Sequence, residues 1–333
     1  MCINDIAYMK KKYNIVLTGG TGFVGSNLVK YILERDEADI ICLVRPSSNT
    51  AALESLPVTI AEVDFTRQET ISPYMKNADY VFHLAAMTHA KTSEQIYAAN
   101  RDIAHIMLNA YLEHRSTIRG YFFLSSLAAI GPKDFGFHNA LRMDNLHPLS
   151  QYGASKLEGE KLHWPYLNDP TCAIKIVRAP GIYGDGDKDV RQLFDMVKKG
   201  FMPVPLTGKG RVTLLHVRDM VRFAYAITVH SDTVGIMSIY DGTVYAWNDI
   251  ARIARHAINR FAMKVWLPKR LMYFAAFVNE KFAKNDIFNR EKCREFTALD
   301  WAYTPNDYEK IGGAPEWPLE RGLQSLYTKS TNV

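Results

Sequence analysis

Four cysteines in 333 residues, Cys2, Cys42, Cys172 and Cys293, are too few and too scattered for a disulfide framework or for the paired spacing of a zinc site. No metal is therefore expected, and reduced thiols fit a cytoplasmic protein. No apolar run approaches the roughly 20 residues needed to cross a bilayer, so no integral membrane segment is expected. A secretory leader is missing too, because Lys10, Lys11 and Lys12 run into a glycine loop instead of a long apolar core. Met9 before them reads as a natural start, with residues 1–8 as a loose extension. Charge of one sign is also lacking: 40 Lys and Arg face 35 Asp and Glu. Apart from the lysine triplet the cations are dispersed, which argues against a nucleic-acid partner. There is no internal repeat and no low-complexity segment. What is present, 47% hydrophobic residues, suffices for a substantial buried core.

From Tyr13 to about Val177, short β-branched runs alternate with helix-period segments. "YNIVLTG", "DIICLVR", "VTIAEVD", "DYVFHLA", "GYFFLSS" and "CAIKIVR" read as strands of a parallel sheet covered on both faces. Val24, Leu28 and Ile32 recur at helical spacing between the first two, and "NRDIAHIMLNAYLEH" and "QYGASKLEGEKLHW" give further amphipathic helices. Beyond Val177 the rhythm dissolves into Gly- and Pro-containing stretches, then returns with a helix from Val217 and a strand near "IMSIYDG". The expected organisation is a discontinuous α/β domain at 1–180 and 216–250, with a smaller, mostly helical substrate-binding domain at 181–215 and 251–333. Within the latter, "VWLPKRLMYFAAFVNEKF" reads as a packed helix, with a helix lying on a membrane surface as the alternative.

The segment "VLTGGTGFVG" puts Gly19, Gly22 and Gly25 between a strand and a helix. Backbone amides brought close by the missing side chains, together with a helix N-terminus, suit the pyrophosphate of a dinucleotide. At the end of the second strand an acidic residue would hold a free ribose 2′-hydroxyl. Val44-Arg45-Pro46 stands there instead. Arg45 offers a permanently charged planar fork for a 2′-phosphate, so NADP is expected over NAD; a solvated surface arginine is the plainer reading. Asp64, after the third strand, is a candidate for the adenine amino group or for capping its own loop.

"SQYGASK" sets Tyr152 and Lys156 four residues apart, on one face of a helix. A phenol with a pKa of about 10 is a poor base, and an adjacent ammonium together with a positively charged oxidised nicotinamide is expected to favour the phenolate. Ser126, at the carboxyl end of its strand, can polarise the same substrate oxygen. Ser125 is expected to bond to backbone in the turn.

Together these residues resemble the extended short-chain dehydrogenase/reductase family, also called the NAD-dependent epimerase/dehydratase family. "TGGTGFVG", "HLAA", "SS" at 125 and 126, "YGASK", "RAPGIYGDGD", "LLHVRDM" and "PLERGL" carry the resemblance along nearly the whole chain. It implies a Rossmann doubly wound sheet with a smaller C-terminal substrate domain, and a catalytic trio of Ser126, Tyr152 and Lys156. It also extends the cofactor set to Phe23, Val24, Phe65, Leu84, Ala85, Ala86, Asn100, Pro180, Gly181 and Ile182, with Tyr152 and Lys156 shared. A homodimer through the helices beginning near Asn100 and Tyr152 is implied as well.

Departures from subfamily patterns narrow the reaction. Leu127 and Ala128 follow Ser126 where the family's dehydratases carry an acidic pair, which argues against dehydration. "GKGRVTLLHVRD" lacks the Arg-Asp-Phe run of nucleotide-sugar epimerases, with Arg211 the nearest substitute. "LVRPSSN" and "RAPGIYGDGD" look more like the branch of 3β-hydroxysteroid dehydrogenases and dihydroflavonol reductases. The expectation is an NADP-dependent oxidoreductase interconverting a secondary alcohol and a ketone on a small apolar or aromatic substrate. The alternatives are a nucleotide-sugar epimerase with tightly bound NAD and a non-catalytic NADP-sensing regulator.

Overall fold

In the computed structural model, residues 12–133, 139–205, 210–279, 290–298 and 300–328 are described. Cys2, Met9 and the proposed extension at 1–8 lie outside them. Seven strands form one parallel sheet: β1 (Tyr13–Thr18), β2 (Ala38–Val44), β3 (Thr59–Glu62), β4 (Tyr80–His83), β5 (Gly120–Ser126), β6 (Ile174–Ala179) and, after an excursion, β10 (Gly235–Ser238), in the spatial order β10-β6-β5-β4-β1-β2-β3. All six pairings are parallel. Between them run helices α1 (Phe23–Leu33), α2 (Ala51–Glu54), α3 (Ser72–Met75), α4 (Ser93–Tyr97), α5 (Ile103–Glu113) and α6 (Gln151–Lys161). The order reverses at β1, whose neighbours are β2 and β4, and such a switch point opens a crevice at the carboxyl ends of the strands.

The strands are apolar on both faces because helices cover both. Ile15, Leu17, Cys42, Val44 and Phe82 pack with α1 and its neighbours on one side, and Val16, Leu43, Val81 and Phe123 pack with α5 on the other. Gly19 adopts φ +79°, and a Cβ there would stand 2.7 Å from the backbone N of Ala85. A Cβ on Gly25 would lie 2.1 Å from the carbonyl oxygen of Gly19. Only glycine therefore lets α1 start this close to β1 and to the loop after β4.

The excursion comprises β7 (Gly181–Tyr183), α7 (Val190–Lys198), β8 (Phe201–Pro205), β9 (Arg211–His216) and α8 (Val217–Val229). After β10 come β11 (Val244–Ala246), α9 (Trp247–Ile258), β12 (Met263–Leu267), α10 (Lys269–Val278), α11 (Arg290–Thr297), β13 (Asp300–Trp301) and α12 (Leu319–Thr328). The smaller unit thus holds short strands as well as helices: β7, β9, β11 and β13 form one small sheet, and β8 pairs with β12. Its cluster includes Phe194, Met202, Tyr245, Trp247, Ile250 and Leu323, so residues ahead of 251 already pack with this layer. The aromatic stretch expected as a helix begins as β12. Pro268 divides it, since the residue before a proline disfavours helical geometry and Pro268 itself opens α10. Its last residues, 280–282, lie outside the described set.

Asp219 on α8 fastens the C-terminal segment to the sheet domain. Fully buried, it accepts hydrogen bonds from the amides of Glu316 (3.0 Å) and Trp317 (2.8 Å), and Arg222 donates to it at 3.2 Å. Replacing Asp219 with Ala strands those donors. We expect Asp219→Ala to lower stability by about 3 kcal/mol, read as a lower urea midpoint at unchanged m value.

Candidate active site

Ser126 ends β5, and its Oγ accepts from the amide of Ala128 at 3.1 Å. Opposite it α6 begins, capped by Ser150, whose Oγ accepts from the amide of Gly153 at 3.0 Å. One residue into the helix stands Tyr152, near enough for the Ser126 hydroxyl to act on its phenol, and one turn further Lys156. The three expected catalytic residues therefore meet at the carboxyl edge of the sheet, beside the crevice at β1.

Burial pushes the Tyr152 phenol up to about 12, the Ser126 hydroxyl offsets part of this, and the carboxylates of Glu295 and Asp189 add to it. In the chain alone, desolvation thus outweighs what neighbouring groups return. Lys156 is 2% exposed, and its ammonium lies 4.3 Å from the centroid of the Phe123 ring. Burial pulls it down to about 7, against the attraction of Glu160. Two imidazoles flank the same ring: His83 and His163 stack on Phe123 with centroids 5.5 and 4.6 Å away. Burial holds His83 well below its usual range and His163 at about 4, so both are neutral near pH 7.

Tyr152, Lys156 and Glu160 recur every four residues along one stripe of α6. Glu160, fully buried, receives Arg178 of β6 through Nε and Nη2, the Trp164 indole at 3.2 Å, and the Ser125 hydroxyl at 2.7 Å. Ser125 therefore bonds to a carboxylate and not to turn backbone: adjacent strand residues face opposite sides, and only Ser126 is left to the site. Arg178 Nη1 donates to the carbonyls of Ala140 (2.5 Å) and Arg142 (2.7 Å).

Sequence reasoning missed the contribution of α11. Glu295 accepts the Ser150 hydroxyl at 2.5 Å, and Glu291 accepts the amide of Gln151 at 3.0 Å. Two carboxylates from the C-terminal region thus close the N-terminus of the helix that carries Tyr152. His89 and Asp189 face each other at 3.6 Å. These residues sit in no recognisable spacing, and only the fold unites them.

The crevice fits a dinucleotide. No side chain caps α1 at Gly22, which leaves the amides of its first turn to an incoming anion. Phe23 and Val24 open that helix, and Leu84, Ala85 and Ala86 leave β4 across the crevice, where the Ala85 amide donates to Thr18 Oγ1 at 3.3 Å. Arg45 is exposed just past β2, its own amide donating to Ser48 Oγ at 3.2 Å. Asp64 accepts the amide (2.9 Å) and hydroxyl of Thr66 with one oxygen, which holds its carboxyl below the usual range, and Phe65 beside it is buried. Asn100, 1% exposed, spends its amide on both backbone groups of Met87 and on Ser155 Oγ, so it shapes the loop after β4 and ties that loop to α6. Pro180, Gly181 and Ile182 leave β6 into β7. Arg211 is paired with Asp300. Among the described residues no cluster suited to a metal ion occurs.

Residues 15–240 match the NAD dependent epimerase/dehydratase family. The chain belongs to that family. It is an NAD(P)-dependent enzyme of the extended short-chain dehydrogenase/reductase type. A ceramide reductase of Caulobacter vibrioides is 27% identical over 307 residues, covering 90% of this chain and 89% of the relative. A UDP-glucose 4-epimerase of Vibrio cholerae is 25% identical over 334 residues, covering 97% and 96%. The solved dTDP-glucose 4,6-dehydratase of Bacillus anthracis, in complex with NAD, superposes with a TM-score of 0.73 at 16% identity, covering 96% of this chain and 97% of that one. At that identity the likeness concerns the fold. No helix among the described residues is long and apolar enough to cross a membrane.

The depressed Lys156 has a measurable consequence for folding. Below about pH 7 its charge is buried at full cost in the folded chain. As pH rises from there towards the unfolded value of about 10.4, the folded state holds fewer protons than the unfolded one and stability increases. Lys175, pulled down to about 8, acts in the same direction over the upper part of that window. Lys156→Met is expected to be more stable than the parent at pH 6, with an advantage that shrinks steadily towards pH 10. Urea midpoints across that range read the difference, and a pH-independent difference would contradict the assignment.

Proposed function

We propose that the enzyme is an NADP-dependent oxidoreductase that reduces a ketone to a secondary alcohol, reversibly, on a substrate of apolar character. The observation that carries this reading is the Tyr152 phenol beside Ser126 at the carboxyl edge of the sheet, near a glycine loop suited to a dinucleotide. When bound, the nicotinamide supplies a hydride to the substrate carbon. Tyr152 donates its proton to the developing alkoxide, Ser126 Oγ orients that oxygen, and the buried Lys156 ammonium stabilises negative charge left on the phenol. Glu160, fixed by Arg178, keeps Lys156 on the same helical stripe. Arg45, exposed just past β2, carries a charge suited to a ribose 2′-phosphate. Segments 181–215 and 251–333 supply the substrate side of the cleft. Similarity to a ceramide reductase along 90% of the chain supports a reductase with an apolar substrate. Leu127 and Ala128, in the turn after Ser126, supply no acid for water loss.

A second reading, nucleotide-sugar epimerisation with retained NAD, is supported by the epimerase relative, which matches over 97% of this chain. The two part company on cofactor exchange.

Tyr152→Phe is expected to lower kcat by about 10²–10⁴-fold and to leave NADPH affinity within about twofold; undiminished turnover would remove Tyr152 from the chemistry. A fluorescence titration should show preference for NADPH over NADH, with Arg45→Ala weakening NADPH by about tenfold or more, the scale of a charged hydrogen bond, and leaving NADH unchanged. Protein that purifies with NAD(H) locked in place and binds UDP-sugars would establish the epimerase reading instead.

A further inference from the structure

The aromatic stretch at 259–279 is only half explained by packing. On α10, Met272 and Ala276 turn inward onto Cys293 of α11, with Leu267 and Tyr273 beside them. The opposite side faces water: Leu271 is 55% exposed, Phe274 65% and Val278 38%, at the i, i+3, i+7 spacing of a single helical face. Just ahead of the helix Phe261 is 86% exposed, Met263 56% and Trp266 50%. Large exposed apolar side chains on one face of a helix mark a surface made to be covered.

The charge next to them in the sequence is mostly positive. Residues 259–279 contain Arg260, Lys264, Lys269 and Arg270, with no Asp or Glu before Glu280. Phe261 also borders an open depression of about 440 Å³ lined by Arg252, Arg255, His256, Asn259 and Arg260. Asp249 and Glu320 offset part of that charge, through Arg252 at 3.9 Å and His256 at 2.6 Å. A second copy of the chain docking by this face would bring like charges together across an isologous contact. Anionic headgroups complement it, while the apolar side chains reach the acyl boundary.

We propose that the exposed face of α10 built by Leu271, Phe274 and Val278, with Lys269 and Arg270 at its start and Trp266 just ahead of it, docks the enzyme on the surface of an anionic phospholipid bilayer. Helix α10 lies in the interface plane and does not span it; at ten residues it is too short to cross. Its inner face rests on α11, whose Glu291 and Glu295 hold the start of α6 next to Tyr152. Docking therefore brings the lipid surface to the side of the molecule from which α11 closes the catalytic helix. The proposal stands on the exposed face and its charge, independently of the redox chemistry.

The test is co-sedimentation of the full chain with vesicles of equal parts phosphatidylglycerol and phosphatidylcholine, against vesicles of phosphatidylcholine alone. Binding is expected to the anionic vesicles and to weaken with salt. Lys269→Gln with Arg270→Gln should lower the partition coefficient about 30-fold, from about fivefold per cation lost near an anionic surface. Leu271→Gln with Phe274→Gln should lower it at least about tenfold at unchanged NADPH affinity, a readout that excludes misfolding. In the unmodified protein, brominated phosphatidylglycerol should quench tryptophan fluorescence, less so in Trp266→Phe. No sedimentation with anionic vesicles, or sedimentation indifferent to both double variants, overturns the proposal. So does light scattering in which Leu271→Gln with Phe274→Gln dissolves an oligomer while neither protein binds vesicles, because the face would then be a self-contact.

Discussion

The buried ion pair between Glu160 and Arg178 is the constraint on which the site depends. Neither side chain is exposed to solvent, so removing either partner would leave an unpaired charge in the interior. Glu160 stands on the catalytic helix, Arg178 on β6, Ser125 on β5, and the carbonyls that receive Arg178 belong to residues 140 and 142. The amide of Ala140 in turn reaches the carbonyl of Thr304, far along the chain. One charged contact thus ties two paired strands to the helix bearing Tyr152 and Lys156 and to a segment that leads into the C-terminal layer. A hydrophobic pair of similar volume could fill the space, but it would not specify the direction from which each element arrives.

Around that pair the site is arranged so that most of its titratable groups are neutral. The phenol is kept protonated, two imidazoles are kept uncharged on either side of Phe123, and the lysine is drawn towards neutrality. Desolvation is the first cause in each case. A dry pocket of this kind strengthens whatever charge is introduced into it, which is the condition under which a cofactor and a developing alkoxide are felt most strongly.

How much of this was legible in the sequence depended on the range of the interaction. The glycine loop, the strand runs and the Tyr152-Lys156 spacing are local patterns, and the fold followed from them. Ser125 was assigned a turn bond because its partner, Glu160, lies 35 residues away on another element. The Tyr152-Lys156 spacing shows the neighbouring ammonium, whereas the burial that raises the phenol is a property of the folded chain. Glu291 and Glu295 carried no signal at all, being ordinary acidic residues until the chain returns them to the start of α6. The β12 strand was read as helix since apolar residues satisfy either period over five positions, and Pro268 was the one local clue.

The carboxylates that α11 lends to α6 carry a consequence for any exchange of that segment. The C-terminal region supplies two acceptors to the start of α6. A replacement segment lacking acids at those two places would leave the Ser150 hydroxyl and the Gln151 amide without them, at the turn that carries Tyr152. A change in that part of the chain therefore has to carry its own end-cap for α6 with it.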